Sequence, residues 1–215
     1  IGEYREMLAR VREELPHAAV TSDFIVGFCG ETDAEFQTTL DLVHEARFKN
    51  SFIFKYSPRP GTKAFERLPD DVPDDVKRAR NQALLEAQAE VSLAGNRAFV
   101  GTRQQVLVEG LSARDEKKDV QPGPDGTAQL SGRTMCDRIV VFDAPLRLVG
   151  RLVDVDITAA GAWSLAGIVA DGIADAVPLD HVTAHQIASP APTATRAATP
   201  AAGRAATPAA TRAEV

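Results

Sequence analysis

Asp23 and Glu31 bracket the turn Gly27-Phe-Cys-Gly30, which follows the apolar run Phe24-Ile25-Val26. Carboxylates in that position can accept hydrogen bonds from the ribose hydroxyls or amine of a bound molecule. Thr32 and Glu35 have the T-x-x-E spacing of a capping box, which predicts a helix starting at the turn. Its free amides and positive dipole end would face Gly27 and Gly30 and favour a carboxylate, a phosphate or a polar cofactor. An unliganded strand, turn and helix fits the same residues, with Glu31 serving only as charge complement to the helix start. Ser57 and Arg59 form a second candidate pair in the loop Ser57-Pro-Arg-Pro-Gly-Thr62. Prolines stiffen that loop, and a guanidinium held there suits a carboxylate or phosphate in bidentate fashion. Metal chemistry is poorly supplied. Cys29 and Cys136 are the only cysteines and stand far apart, and His181 and His185 have no third ligand nearby.

The elements that must position these groups follow from periodicity. Tyr4, Leu8, Val11 and Leu15 have helical spacing, closed by Pro16. Val20 to Phe28 reads as a strand, Asp33 to Ala46 as a helix, and Ser51 to Tyr56 as a second strand. That alternation predicts parallel strands joined by a crossover helix. A long helix is expected from Pro73 to about Gly95-Asn96, with Val76, Ala83, Leu84, Ala87 and Val91 as its buried face. Beyond residue 97 the pattern becomes β-rich. Val106 to Val108, Arg138 to Phe142, Leu146 to Ile157 and Trp163 to Val169 read as strands. Such strands, spaced closely, predict a small closed barrel. Residues 112–132 read as a long flexible loop, and Trp163 as a core residue with base stacking as its alternative. From Ser189 onward an approximate T-R-A-A-T-P-A-A octad, with Arg196, Arg204 and Arg212 in register, lacks large apolar residues and reads as disordered.

Composition narrows the class. With 44% hydrophobic and 25% charged residues, the chain has the make-up of a globular protein. No apolar run approaches a membrane span, so no membrane partner is expected. A formal net charge of −6 argues against nucleic-acid binding by bulk charge and requires any RNA contact to come from a local patch. Two isolated cysteines fit a cytoplasmic setting and are expected to be small buried side chains. The start at Ile1, with no leader, reads as a piece of a longer protein. A barrel opened at that point should expose apolar surface.

Four segments together carry a family resemblance: Asp23-Phe-Ile-Val-Gly-Phe-Cys-Gly-Glu-Thr32, Phe54-Lys-Tyr-Ser-Pro-Arg-Pro-Gly-Thr62, Val91-Ser-Leu-Ala-Gly-Asn-Arg97 and Gly132-Arg-Thr-Met-Cys-Asp-Arg-Ile-Val-Val-Phe142. In order and distance they resemble the radical S-adenosylmethionine methylthiotransferases, in particular the branch that modifies dimethylallyladenosine in tRNA. The resemblance spans about residues 1–170 and implies an α/β part followed by an all-β part. Residues 1–72 would be the last part of a radical SAM (β/α) barrel and residues 73–96 a connecting helix. Residues 97–170 would be a TRAM domain, a small OB-like barrel that grips tRNA, and residues 171–215 a linker and disordered tail. It implies a monomeric parent that uses S-adenosylmethionine and two [4Fe-4S] clusters. Asp23, Gly27, Gly30, Glu31, Ser57 and Arg59 would lie on the S-adenosylmethionine side, and Lys117, Lys118, Arg133 and Arg138 would contact RNA. The chain departs from the family in lacking the C-x-x-x-C-x-x-C loop, so by itself it is expected to be inactive. Two alternatives stay open: a stand-alone TRAM-type RNA-binding module, and a sister enzyme acting on threonylcarbamoyladenosine in tRNA or on a ribosomal protein.

Overall fold

The computed structural model describes residues 2–118 and 121–170, together with the backbone of Val177 and Pro178. The histidine pair and the octad repeat lie outside the described residues. Helix α1 (Gly2–Glu14) leads to strand β1 (Thr21–Val26), helix α2 (Asp33–Ala46) and strand β2 (Asn50–Lys55). As the alternation predicts, β1 and β2 pair in parallel, with Asp23 opposite Phe52 and Ile25 opposite Phe54. A short helix α3 (Lys63–Arg67) precedes α4 (Asp74–Arg97). The capping box forms, with the Thr32 hydroxyl accepting from the Glu35 amide and the Glu35 carboxylate accepting from the Thr32 amide.

Among the described residues, only one face of the β1–β2 pair is covered. Strand alternation sends Phe24, Val26, Ser51 and Ile53 toward the helices. There Val26, Phe48, Val43, Leu42, Leu84 and Leu8 form a core. The opposite face carries Asp23, Ile25, Phe52 and Phe54, and the last three are 58%, 61% and 54% exposed. Fully burying one such side chain is worth about 1.5–3 kcal/mol, so this face forgoes a large stabilisation.

The all-β part runs β3 (Arg103–Leu111), a short helix α5 (Ala113–Lys117), β4 (Thr127–Thr134), β5 (Ile139–Pro145), β6 (Arg151–Ala160), β7 (Leu165–Val169) and the short β8 (Val177–Pro178). The neighbour order β3-β4-β5-β7-β6 closes through β6 on β3, so five strands make a closed barrel. Only the β5–β7 junction is parallel. Val106, Leu130, Val140, Val155, Ile157 and Leu165 fill its interior.

Three expectations need correction here. Residues 112–132 are not one long loop, because α5 and most of β4 lie within them. The segment Thr127 to Thr134 contains a single large apolar residue, Leu130, and gains its strand conformation from pairing on both edges rather than from its own propensity. The run Leu146 to Ile157 is not one strand, since residues 146–148 form a 3-10 turn before Gly150 and β6. Trp163 is 54% exposed, in the turn between β6 and β7, and is therefore not core.

Helix α4 joins the two parts, and its buried face is largely polar. Lys77, Arg80, Gln88, Ser92 and Asn96 are buried on the same stripe as Leu84 and Ala87, whereas Val76, Ala83 and Val91 are only partly buried. Gln88 reaches the Phe48 carbonyl, Ser92 the Lys49 carbonyl, and Asn96 the Gly161 and Ala162 carbonyls of the barrel. These side chains satisfy backbone groups at the ends of elements, which have no ladder partner there. The helix continues through Gly95 and Asn96 to Arg97, because Asn96 is held by this bonding and does not act as a stop.

Candidate functional site

The turn after β1 is built around the start of α4. Gly27 has φ +71, a region open to glycine but strained for other residues. A Cβ built on it would also overlap the Lys77 side chain, which crosses directly above. Lys77 is buried, pairs with Asp70 and lies 5.3 Å from the centre of the Tyr56 ring. The Phe28 ring meets Tyr56 edge to face at 4.9 Å. The Tyr56 hydroxyl pKa is raised, chiefly by its hydrogen bond with Cys29.

Most polar groups of this turn are already engaged. One Glu31 carboxylate oxygen accepts from the Gly27 amide at 2.6 Å and from the Arg80 guanidinium at 2.7 Å. Arg80 also reaches the Glu31 carbonyl at 2.9 Å and Asp33 at 2.7 Å, and its guanidinium lies 5.5 Å from the Phe36 ring centre. Burial disfavours the Arg80 charge, yet hydrogen bonds with Asp33 and Glu31 more than offset this and leave its pKa raised. The Gly30 amide donates to Asp71 at 2.7 Å. The capping interaction with the Thr32 amide holds the Glu35 carboxyl below its usual range. The chain's own carboxylates thus occupy the anion-favouring groups of this helix start.

The remaining candidates divide by position. Asp23 lies in the middle of β1, on the open face, and is exposed. The sequence suggested a place beside the turn. Strand alternation instead sets Asp23 with Ile25, Phe52 and Phe54. Ser57 and Arg59 are exposed in the loop after β2, where the Arg59 carbonyl accepts from the Thr62 hydroxyl at 2.8 Å. Asp23 is therefore exposed on the open face and Ser57 and Arg59 in the loop where β2 ends, Ser57 sharing a cleft with Asp70, Asp74 and Lys77, while Gly27, Gly30 and Glu31 form the frame of the turn.

In the barrel the four basic candidates are not brought together. Lys117 and Lys118 are exposed at the end of α5. Arg133 spans Glu109 at 3.1 Å and Asp137 at 2.5 Å. Arg138 is half-buried. Its Nε donates to Asn96 at 3.0 Å, its guanidinium reaches Cys136 Sγ at 2.9 Å, and it lies 4.2 Å from the Phe99 ring centre. Arg138 thereby ties the barrel to α4. Cys29 and Cys136 are partly exposed, not fully buried as the sequence suggested. Among the described residues no group of three or more His, Cys, Asp or Glu could hold a metal ion, and no helix is long and apolar enough to cross a membrane.

Sequence reading missed Lys77 and Arg80, the two residues that organise the turn. The available signal was their spacing. They continue the stripe of Leu84 and Gln88 one and two turns earlier, but a search for apolar positions passes over charged ones.

No family model matches the chain. Curated relatives do. A tRNA-2-methylthio-N(6)-dimethylallyladenosine synthase of Rhodopirellula baltica is 49% identical over 169 residues, covering 79% of this chain and 35% of that protein. The synthase of Moorella thermoacetica is 44% identical over the same length, covering 79% and 35%. A synthase of Mycobacterium marinum is 44% identical over 174 residues, covering 79% and 30%. This chain spans about a third of the length of the curated relatives it matches. Identity at this level over 79% of the chain makes it similar to part of the tRNA-2-methylthio-N(6)-dimethylallyladenosine synthases across both the α/β part and the barrel.

Proposed function

We propose that this chain is the C-terminal portion of a tRNA methylthiotransferase that replaces the C2 hydrogen of N(6)-dimethylallyladenosine in tRNA with a methylthio group. Residues 1–72 are read as the final strands of a radical SAM barrel, residues 73–96 as the connecting helix and residues 97–170 as the TRAM domain. The observation that carries this reading, beside the relatives' names, is the uncovered face of β1 and β2. Its exposed Ile25, Phe52 and Phe54 are what the inner wall of a larger parallel barrel would present.

S-adenosylmethionine would supply the methyl group and the radical. Asp23, Ser57 and Arg59 fit it, because Asp23 is exposed on that face, Ser57 and Arg59 are exposed where β2 ends, and they carry groups for its amine, hydroxyls and carboxylate. Gly27, Gly30 and Glu31 would shape the turn beneath it. The clusters do not fit this chain. Cys29 and Cys136 lie in separate parts of the fold, and no other metal-binding group exists among the described residues. Cluster ligation therefore falls to residues outside residues 1–215. Of the four basic candidates in the barrel, Lys117 and Lys118 are the exposed cations offered to tRNA, whereas Arg133 and Arg138 first serve the fold. Cytoplasmic location and a monomeric parent follow from this reading.

The test expresses this chain together with its upstream coding sequence in a bacterial strain lacking the modification. Mass spectrometry of digested tRNA should show 2-methylthio-N(6)-dimethylallyladenosine, and Asp23→Ala should reduce its yield. Unmodified N(6)-dimethylallyladenosine in cells making the soluble, cluster-loaded protein would refute the assignment.

A further inference from the structure

A cleft of about 1250 Å³ separates the α/β part from the barrel. It lies where β1 and β2 begin and where α1, α2 and α4 end, facing β3 and the β4–β5 turn. That is the opposite end of the strands from the glycine turn and the Ser57–Arg59 loop. Its walls carry Arg12, Arg47, Lys49, Arg103 and Arg138, against the carboxylates of Glu90 and Asp154. In a chain of net charge −6, this is a local excess of positive charge.

Arg47 is the most telling member. It caps α2 in the left-handed region, at φ 46 and ψ 52. Glycine or asparagine is the usual residue there, and a longer side chain is strained. A cation near a helix C-terminus complements the dipole, but one at an unstrained neighbouring position would serve equally. Strain retained at one residue points to a use for its side chain. Lys49, Arg103 and Arg138 already hold Asp137, Asp156 and Asn96. Arg12 and Arg47 are exposed, and among the described residues neither guanidinium makes a hydrogen bond or ion pair.

We infer that this cleft is a docking site for RNA backbone phosphates, with Arg12 and Arg47 as the two contacting guanidiniums. The inference rests on the tRNA-facing role proposed above and gives it a surface distinct from Lys117 and Lys118. A planar guanidinium fork matches a phosphodiester, and such contacts set position, not sequence preference. The volume exceeds the roughly 300–1,000 Å³ typical of small-molecule pockets, which favours a polymer over a free phosphate.

The experiment measures binding of a short fluorescein-labelled RNA hairpin to the full chain by anisotropy across a KCl series. Variants are Arg12→Gln/Arg47→Asn, Lys117→Gln/Lys118→Gln, and Arg67→Gln as a control outside the cleft. The cleft pair should lose affinity by about tenfold per guanidinium. Its salt slope should fall by about 1.4 to 1.8, the value for two lost phosphate contacts. Its melting temperature should not fall, since asparagine tolerates the left-handed cap. Wild-type affinity in this variant overturns the inference. If only the Lys117/Lys118 variant weakens, the RNA-binding reading stands and the cleft assignment falls. If the wild-type chain binds no RNA, both fall. Tight binding of inorganic pyrophosphate in the cleft without RNA binding likewise excludes a polymer site.

Discussion

Replacing Gln88 with leucine should destabilise this protein by about 3 kcal/mol, through three net hydrogen bonds of roughly 1 kcal/mol each. Gln88 is 0% exposed and sits midway along α4. Its Oε1 accepts from the Ser51 hydroxyl at 2.7 Å, and its Nε2 donates to the Phe48 carbonyl at 3.0 Å and to Ser92 Oγ at 2.9 Å. Leucine fills a similar volume, so the cavity contribution is small and the loss reports polar bonding. Ser92 keeps its own bond to the Lys49 carbonyl at 3.0 Å. The Ser51 hydroxyl and the Phe48 carbonyl lose a partner next to the β2 start. For a protein of this size the change corresponds to a fall of about 6–12 °C in melting temperature. Urea unfolding followed by far-ultraviolet circular dichroism, with Trp163 fluorescence as a probe in the barrel, provides the measurement. Ser51→Ala/Gln88→Leu should cost about 1 kcal/mol less than the sum of the single changes, because each single change alone strands the other group. A Gln88→Leu protein within about 0.5 kcal/mol of wild type would show that the polar stripe of α4 does not hold the start of β2 to the helix.

Gly27→Ala and Gly30→Ala separate backbone strain from crowding. Both glycines have positive φ, but a Cβ at Gly30 meets open space whereas one at Gly27 overlaps Lys77. Gly30→Ala should therefore cost about 1 kcal/mol and Gly27→Ala about 2–4 kcal/mol, and equal urea midpoints would contradict the Lys77 packing. Arg80→Met should cost about 3 kcal/mol, because it strands the Glu31 carboxylate, whose side chain is 13% exposed. Glu31→Gln/Arg80→Met should recover part of that in chemical denaturation, and no recovery would deny the charge pairing. Asp137 is held below its ordinary pKa, first by the hydrogen bond from Lys49 and then by that from Arg133. Its contribution is complete above the unfolded carboxylate value of about 3.9 and is lost as pH falls through the lower folded value. Asp137→Asn should thus lower stability at neutral pH by up to about 1 kcal/mol, a figure limited by solvent screening, and the deficit should shrink below about pH 4. An equal deficit at neutral and acid pH would argue against the ion pair.

Several features of this protein were legible along the chain. The Thr32–Glu35 capping box, the parallel β1–β2 pair and the closed barrel all rest on local spacing and alternation, which act within a few residues. The likeness to the tRNA-2-methylthio-N(6)-dimethylallyladenosine synthases was readable for a similar reason, since glycines and prolines in the four motif segments mark backbone geometry that tolerates few substitutes. The tertiary structure decided which polar groups remain available. Gly27, Gly30 and Glu31 were natural candidates for a ligand, yet Arg80 and Asp71 reach them from 49 and 41 residues away and occupy them. Arg138 looked like an RNA contact and instead clasps Asn96 on α4, while Arg12 and Arg47, which drew no notice in sequence, line the same cleft. Helical and strand periods report which face a residue occupies. They cannot report what another element, folded back from far along the chain, places against that face.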